Sequence, residues 1–214
     1  MNWRELVGIR RVMLVAALAT LGGLACVDSN SPNDGHVRPP SDLNVLHLAQ
    51  VAPPLYSTTV SFLAKYDEDT EGEIFFADDQ GQPGERFLRF KVDKFALYKK
   101  PDGTLFGPGD QVQISITVVA DSLLFEFQPQ GLQFNPLNPA QLNLEYNHAG
   151  DNLEGDFNDD DHVDQEDDDI EATLALWHQA MLGDPFVKLQ TLVVVDSDEI
   201  EAEIPGFSRY ALAY

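Results

Sequence analysis

The residues from Gly155 to Asp169 read GDFNDDDHVDQEDDD. Carboxylates packed this closely repel one another. Such a stretch is either loose in solvent or holds something positive. Around it, Asp151 to Glu171 carries twelve acids and no Lys or Arg. Other chemical signals are sparse. His36, His47, His148, His162 and His178 are isolated in sequence, and each is expected to be a surface or core residue rather than a ligand or base. No Ser-His-Asp spacing, glycine-rich phosphate loop or HExxH run is present. Thiolates are absent from the acidic stretch, which argues against zinc.

Numbered by offset, Asp156 is position 1, Asn158 position 3, Asp160 position 5, His162 position 7, Asp164 position 9 and Asp167 position 12. This spacing resembles the calcium loop of EF-hands and, more closely, of dockerins, which also begin GD-x-N and can end in Asp. Ca²⁺ is a hard cation that takes about six to eight oxygens at ~2.3–2.6 Å, and a tight loop turns alternate side chains inward. The resemblance implies a ligand set of Asp156, Asn158, Asp160, Asp164 and Asp167 side chains with the His162 main-chain carbonyl. It also implies that Val163 pins the loop to the core. Two residues depart from the pattern. Asp161 stands where Gly makes the sharp turn, and Asp167 stands where a longer Glu closes the cage. Mg²⁺ fits less well, since it keeps its own waters and few carboxylates. The rival reading is a solvated acidic hairpin tip, disordered by its own charge.

The elements that must position this loop follow period two, the signature of half-buried strands. Strand patterns run over Thr59–Tyr66, Gly72–Asp78, Arg86–Tyr98, Gln111–Val119, Leu123–Pro129, Gln141–Tyr146, Lys188–Val195, Glu199–Ile204 and Phe207–Tyr214. In the third, Phe87, Arg89 and Lys91 alternate with Leu88, Phe90 and Val92. Turn signals such as DQGQPG, KPDG, GPGD and LGDP separate the runs. Many short strands predict an all-β fold, an antiparallel β-sandwich with an acidic loop insertion. One segment, IEATLALWHQAM, reads two ways. Ile170, Leu174, Trp177 and Met181 have helical spacing, whereas Ala172, Leu174 and Leu176 alternate; the strand of a hairpin is the favoured expectation.

Two stretches, FEFQPQGLQFNPLNPAQLNLEY (Phe125–Tyr146) and AEIPGFSRYALAY (Ala202–Tyr214), together resemble the ZU-five sandwich domain of ankyrins, netrin receptors and many bacterial surface lipoproteins. The likeness covers roughly residues 87 to 214. It implies a sandwich whose last strand carries a Phe-Ser-x-Tyr signature. Some eukaryotic members of that family cut themselves at a His-Phe-Ser triplet, the serine attacking the preceding carbonyl and the histidine acting as base. Here the triplet is Gly206-Phe207-Ser208. The histidine is absent from it, and a serine hydroxyl is a weak nucleophile unless activated, so the chain is expected to stay intact. Gly131 supplies turn geometry, Phe127 and Phe134 flank the bend, and Tyr210 brings a ring to bury and a hydroxyl to satisfy.

The N-terminus carries Arg4, Arg10 and Arg11 before the apolar run VMLVAALATLGGL, too short to span a bilayer comfortably. The run ends in LAC, which resembles a bacterial lipobox with Cys26 as the lipidated residue. Residues 1–25 are thus expected to be a lipoprotein signal peptide, 26–44 a flexible tether rich in Ser, Asn, Asp and Pro, and 45–214 the sandwich, with the acidic loop over 151–171. Cys26 is the sole cysteine, which excludes an intrachain disulfide. A formal charge of -23 excludes nucleic acid as a partner, since a polyanion needs a basic face. The expected function is a non-catalytic interaction or structural module, exported to the bacterial cell envelope and held by lipid, by resemblance in the outer membrane. Its partner is a protein or glycan. The alternatives are an envelope hydrolase acting on polysaccharide, since paired carboxylates serve that chemistry, and a calcium-independent surface protein with a disordered acidic loop. Trp177 and Tyr98 are the aromatic candidates for a sugar-binding face, although aromatics at strand spacing are usually core.

Overall fold

A computed structural model describes residues 37–119, 122–194 and 197–214. The expected leader, Cys26 and the first part of the expected tether lie outside the described residues. In chain order the strands are β1 (Val37–Arg38), β2 (Thr59–Lys65), β3 (Thr70–Ala77), β4 (Pro83–Val92), β5 (Leu97–Lys99), β6 (Gln111–Val118), β7 (Leu124–Gln128), β8 (Gln133–Phe134) and β9 (Ala140–Glu145). The helix α1 (Gln165–Glu171) follows, then β10 (Ala175–Gln179), β11 (Phe186–Lys188), β12 (Thr191–Val194), β13 (Glu199–Ile204) and β14 (Arg209–Ala213).

The strands build an antiparallel β-sandwich. One sheet has the order β1-β11-β10-β14-β7-β6-β2 and the other β12-β13-β9-β4-β3, with a small β5-β8 ribbon at one end. Period-two alternation puts one face of each strand inward. From the first sheet come Ile114, Ile116, Phe125, Phe127, Leu176, Tyr210 and Leu212; from the second, Ile74, Phe76, Phe90, Leu142, Leu144, Ile200 and Ile204. Each such side chain taken from water contributes about 1.5–3 kcal/mol. Phe127, Phe134 and Phe207 meet at one end, their ring centroids 5.2 Å apart for both Phe127–Phe207 and Phe134–Phe207.

Four sequence expectations change in detail. Phe87 does not share a face with Arg89 and Lys91. The register of β4 on β3 slips between Ile74 and Phe75, so that Ile74 opposes Leu88 and Phe75 opposes Arg86. Phe87 is the extra residue of that bulge and turns into the core beside Leu88. The pattern over Arg86–Tyr98 is two strands, broken where Phe95 adopts φ 66. The ordered structure also starts before residue 45. β1 pairs with β11, and Leu43 is buried with Trp177 and Phe186 in a second apolar cluster on the outer face of the first sheet. Trp177 is therefore core, 2% exposed, with its N–H donating to the Ala213 carbonyl at 3.2 Å, and it presents no sugar-binding face. The end of the expected tether is the strap that covers it; the Arg38 guanidinium lies 5.4 Å over its ring.

The segment with two periodicities divides. Residues 165–171 are helical, and 175–179 form the strand β10, paired with β11 in a hairpin. Among the described residues no helix is long and apolar enough to cross a membrane.

Candidate functional site

The acidic stretch leaves the sandwich after β9 and returns through α1 to β10. Its path is set by its own carboxylates. Asp156 and Asp167 are 1% and 2% exposed, and they are the only buried carboxylates among the described residues. Asp156 Oδ1 accepts from the Asp160 N–H at 3.2 Å and its Oδ2 from the Asp161 N–H at 3.0 Å. Asp161, at the offset where the calcium-loop pattern has Gly, takes φ 64, the left-handed turn that Gly makes at least cost. Asp167 Oδ1 accepts from Phe157 N–H at 2.7 Å and Oδ2 from Asp164 N–H at 2.9 Å. Offsets 1 and 12 thus hold the two ends of the loop.

The remaining candidate ligands are nearer to solvent. Asn158 is half-buried; Asp160, His162 and Asp164 are exposed. Asp160 Oδ1 accepts from the His162 N–H at 2.9 Å. The His162 ring donates from Nδ1 to the Asp160 carbonyl, 2.8 Å away, and that bond with the nearby carboxylates raises its pKa above the ordinary value. Asp164 is the N-cap of α1. Its side chain accepts from Glu166 N–H at 2.8 Å while Asp167 returns a bond to its backbone, a reciprocal cap. This D-x-x-D cap is readable in the sequence and marks the helix that periodicity alone leaves open. Crowding is visible at Asp159, whose carboxyl is held above its usual range by a hydrogen bond with Asp151 and by neighbouring charge.

Val163 does not anchor the loop. It is 57% exposed. The anchors are Phe157, packed against the main core, the Tyr214 hydroxyl, which donates to the Phe157 carbonyl at 2.9 Å, and the Tyr146 hydroxyl, which donates to Glu171 at 2.8 Å. Burial and the Glu171 charge push the Tyr146 pKa up, so it stays a donor. The donor set suits a hard cation in type, and the backbone turns through positive φ at Asp159 and Asp161. The side-chain oxygens themselves have not converged: among the described residues no three Asp, Glu, His or Cys groups stand close enough together to hold a metal ion.

A second constellation lies at the end of the sandwich. Ser208 precedes β14, and β10 runs antiparallel beside it in the register His178 opposite Tyr210. This brings His178 Nε2 to 2.6 Å from Ser208 Oγ. A histidine is absent from the Gly206-Phe207-Ser208 triplet itself, but sheet register places one from a neighbouring strand beside Ser208. Burial lowers the His178 pKa, which favours the neutral imidazole. With Nδ1 protonated, Ser208 donates to Nε2. The Phe207 carbonyl accepts from the Gly131 N–H at 3.0 Å, and the Phe207 N–H donates to the Leu132 carbonyl at 2.8 Å. Tyr210 donates to the Gly206 carbonyl. A Cβ at position 206 would sit 2.8 Å from the Leu132 carbonyl oxygen, so this backbone has no room for a histidine there.

His178 and Ser208 line one end of a cleft of ≈ 1360 Å³. Its other walls are the outward face of β9, β12 and β13, the β5-β8 ribbon and the turn at Ala180–Met181. Compared with known protein families, curated proteins and solved structures, the chain matches none.

Proposed function

We propose that the chain is a lipid-anchored β-sandwich of the bacterial cell envelope, a non-catalytic interaction or structural module whose acidic loop is braced by calcium. The basic, apolar, Leu-Ala-Cys order of the N-terminus supports export and a lipid on Cys26. The observation that carries the calcium reading is the burial of Asp156 and Asp167, offsets 1 and 12 of the loop, without a basic side chain between Asp151 and Glu171. Buried carboxylates are costly without a counter-charge. Asp156, Asn158, Asp160, Asp164 and Asp167 would hold the ion with the His162 carbonyl. Bound calcium supplies the positive charge that offsets the repulsion among the twelve acids. The protein's own part is the Asx turns and the capped helix, which set the backbone before the ion arrives.

Calorimetry with millimolar calcium tests this. Heat of binding in the native chain and none in Asp156→Ala is expected, and a chelator lowers Tm. An absence of heat at that concentration refutes the calcium brace and leaves the sandwich. Radiolabelled fatty acid incorporated into the native chain but not into Cys26→Ala tests the anchor.

A second reading is favoured by the Ser208–His178 bond: a single self-processing event between Phe207 and Ser208. Ser208 Oγ attacks the Phe207 carbonyl carbon as His178 takes its proton, and the Gly131 N–H stabilises the developing oxyanion. The C–N bond then breaks as His178 returns the proton to the Ser208 nitrogen. This leaves an ester that water opens to a Phe207 carboxylate and a free Ser208 amine. Denaturing mass spectrometry reads it directly. Loss of the Ser208–Tyr214 peptide, faster in hydroxylamine and absent in Ser208→Ala, is the expected result. An intact mass after prolonged incubation with hydroxylamine refutes it.

A further inference from the structure

The cleft differs in chemistry from the acidic loop. Its floor is the outward face of the second sheet, where Glu203 opposes Gln141 and Glu201 opposes Asn143 across the β13-β9 pair. The rims add Gln133 and Gln190, and no Lys or Arg lines it. Gln133, Gln141 and Gln190 are exposed. Each amide presents a donor and an acceptor side by side. The Glu201 carboxylate already accepts from Asn143 Nδ2 at 3.1 Å, which leaves its second oxygen for a ligand hydroxyl. On one rim stands Tyr98, 45% exposed, although its neighbour Leu97 is 1% exposed and β5 is paired to β8. A bare aromatic ring on a fixed ribbon is a stacking platform, since conformational entropy was lost when the ribbon formed.

These features select among ligands. An anion meets two glutamates, no cation and a chain of formal charge -23. A cationic peptide would be better served by the acidic loop, since in the cleft amides outnumber acids. The volume exceeds the ~300–1,000 Å³ of ordinary small-molecule pockets, so the ligand is extended. Paired donor–acceptor groups match vicinal hydroxyls, each of which donates and accepts, and the apolar C–H face of a sugar ring matches Tyr98. We infer that this cleft binds a neutral oligosaccharide, with Tyr98 stacking on one ring and Gln141, Asn143, Glu201 and Glu203 bonding hydroxyls along the sheet. The inference rests on the reading of the chain as an interaction module and names the class of its partner.

The test is calorimetric titration of the full chain, in a non-glycosidic detergent, with cellohexaose, xylohexaose and mannohexaose. Hexalysine and hexagalacturonate serve as charged controls. Saturable binding of at least one neutral hexasaccharide is expected, weakened about tenfold in Tyr98→Ala and in Gln141→Ala at unchanged Tm. Binding is expected to persist in excess chelator, because the cleft shares no residue with the acidic loop; a lost calcium response therefore leaves this inference standing. Shortening of the bound probe upholds the site and overturns the non-catalytic reading. No neutral probe bound at millimolar concentration, or hexalysine alone bound, overturns the inference.

Discussion

The acidic loop and the Ser208 end of the sandwich are assembled in opposite ways. In the loop, the groups that matter lie within a dozen residues of one another. Asp156 accepts from Asp160 and Asp161, and Asp167 from Phe157 and Asp164. Local spacing dictates the turn, and the rest of the chain contributes anchors from Tyr146, Tyr214 and, at the start of the loop, Gln50. At the other end, Ser208 and His178 are 30 residues apart and meet only because β10 and β14 pair in one register. A one-residue slip there would turn His178 to the opposite face of the sheet. A contiguous motif survives small errors of packing, whereas a cross-strand pair depends on the whole core being right.

That contrast can be broken by substitution. The largest effect is expected at Phe207→Ala, which empties a site between Phe90, Phe127 and Phe134. The loss is about 3–5 kcal/mol, read by denaturant unfolding, and equal with and without calcium. If the loop and the Ser208 end are independent, the calcium increment in Tm survives this change. Asp167→Ala removes the acceptor of two backbone N–H groups and costs about 1–3 kcal/mol. Here the cost is expected to grow when calcium is added, since only the native chain gains. Equal loss in calcium and chelator would mean that the loop is held by its hydrogen bonds alone.

Gly206→Ala presses a methyl on the Leu132 carbonyl and is expected to cost about 1–3 kcal/mol. Thermal melts check it, and a neutral result would reopen position 206 to a histidine. His178 carries a pH signature. Its folded pKa lies below the ordinary value near 6.5 because burial disfavours the charged ring. The unfolded chain therefore takes up a proton first. The stabilisation is full above about 6.5 and is lost as pH falls through the lower folded value. The stability difference between the native chain and His178→Gln should shrink from pH 7.5 to pH 5; a difference flat in pH would count against a buried neutral imidazole. The smallest effect belongs to Val163→Ala. With its side chain largely in water, the change should stay within about 0.5 kcal/mol. A large loss on melting would restore Val163 as an anchor.

Most strands are legible in the residue pattern itself. Alternation of Val112, Ile114, Ile116 and Val118 describes β6 closely, and Gly131, Phe127, Phe134 and Tyr210 take the turn and core roles their types suggest. The bulge at Phe87 is not legible there, because it is a property of β4 against β3 and leaves the residue pattern unchanged. Nor is the cover over Trp177, an aromatic whose strand spacing already suggests core: it takes Leu43 from far upstream together with Phe186 of the next strand. The helix α1 lies in between: its cap is written in Asp164 and Asp167, but its hydrophobic period is shared with the strand that follows.

Sequence alone determined the all-β class, the position of the acidic loop and the donor types along it, since side-chain period and local turn chemistry act over a few residues. Tertiary structure decided which partner each group faces: His178 for Ser208, Asn143 for Glu201, Phe157 rather than Val163 for the loop. Those pairings depend on register and on layers closing over one another, and no short window of the chain carries that information.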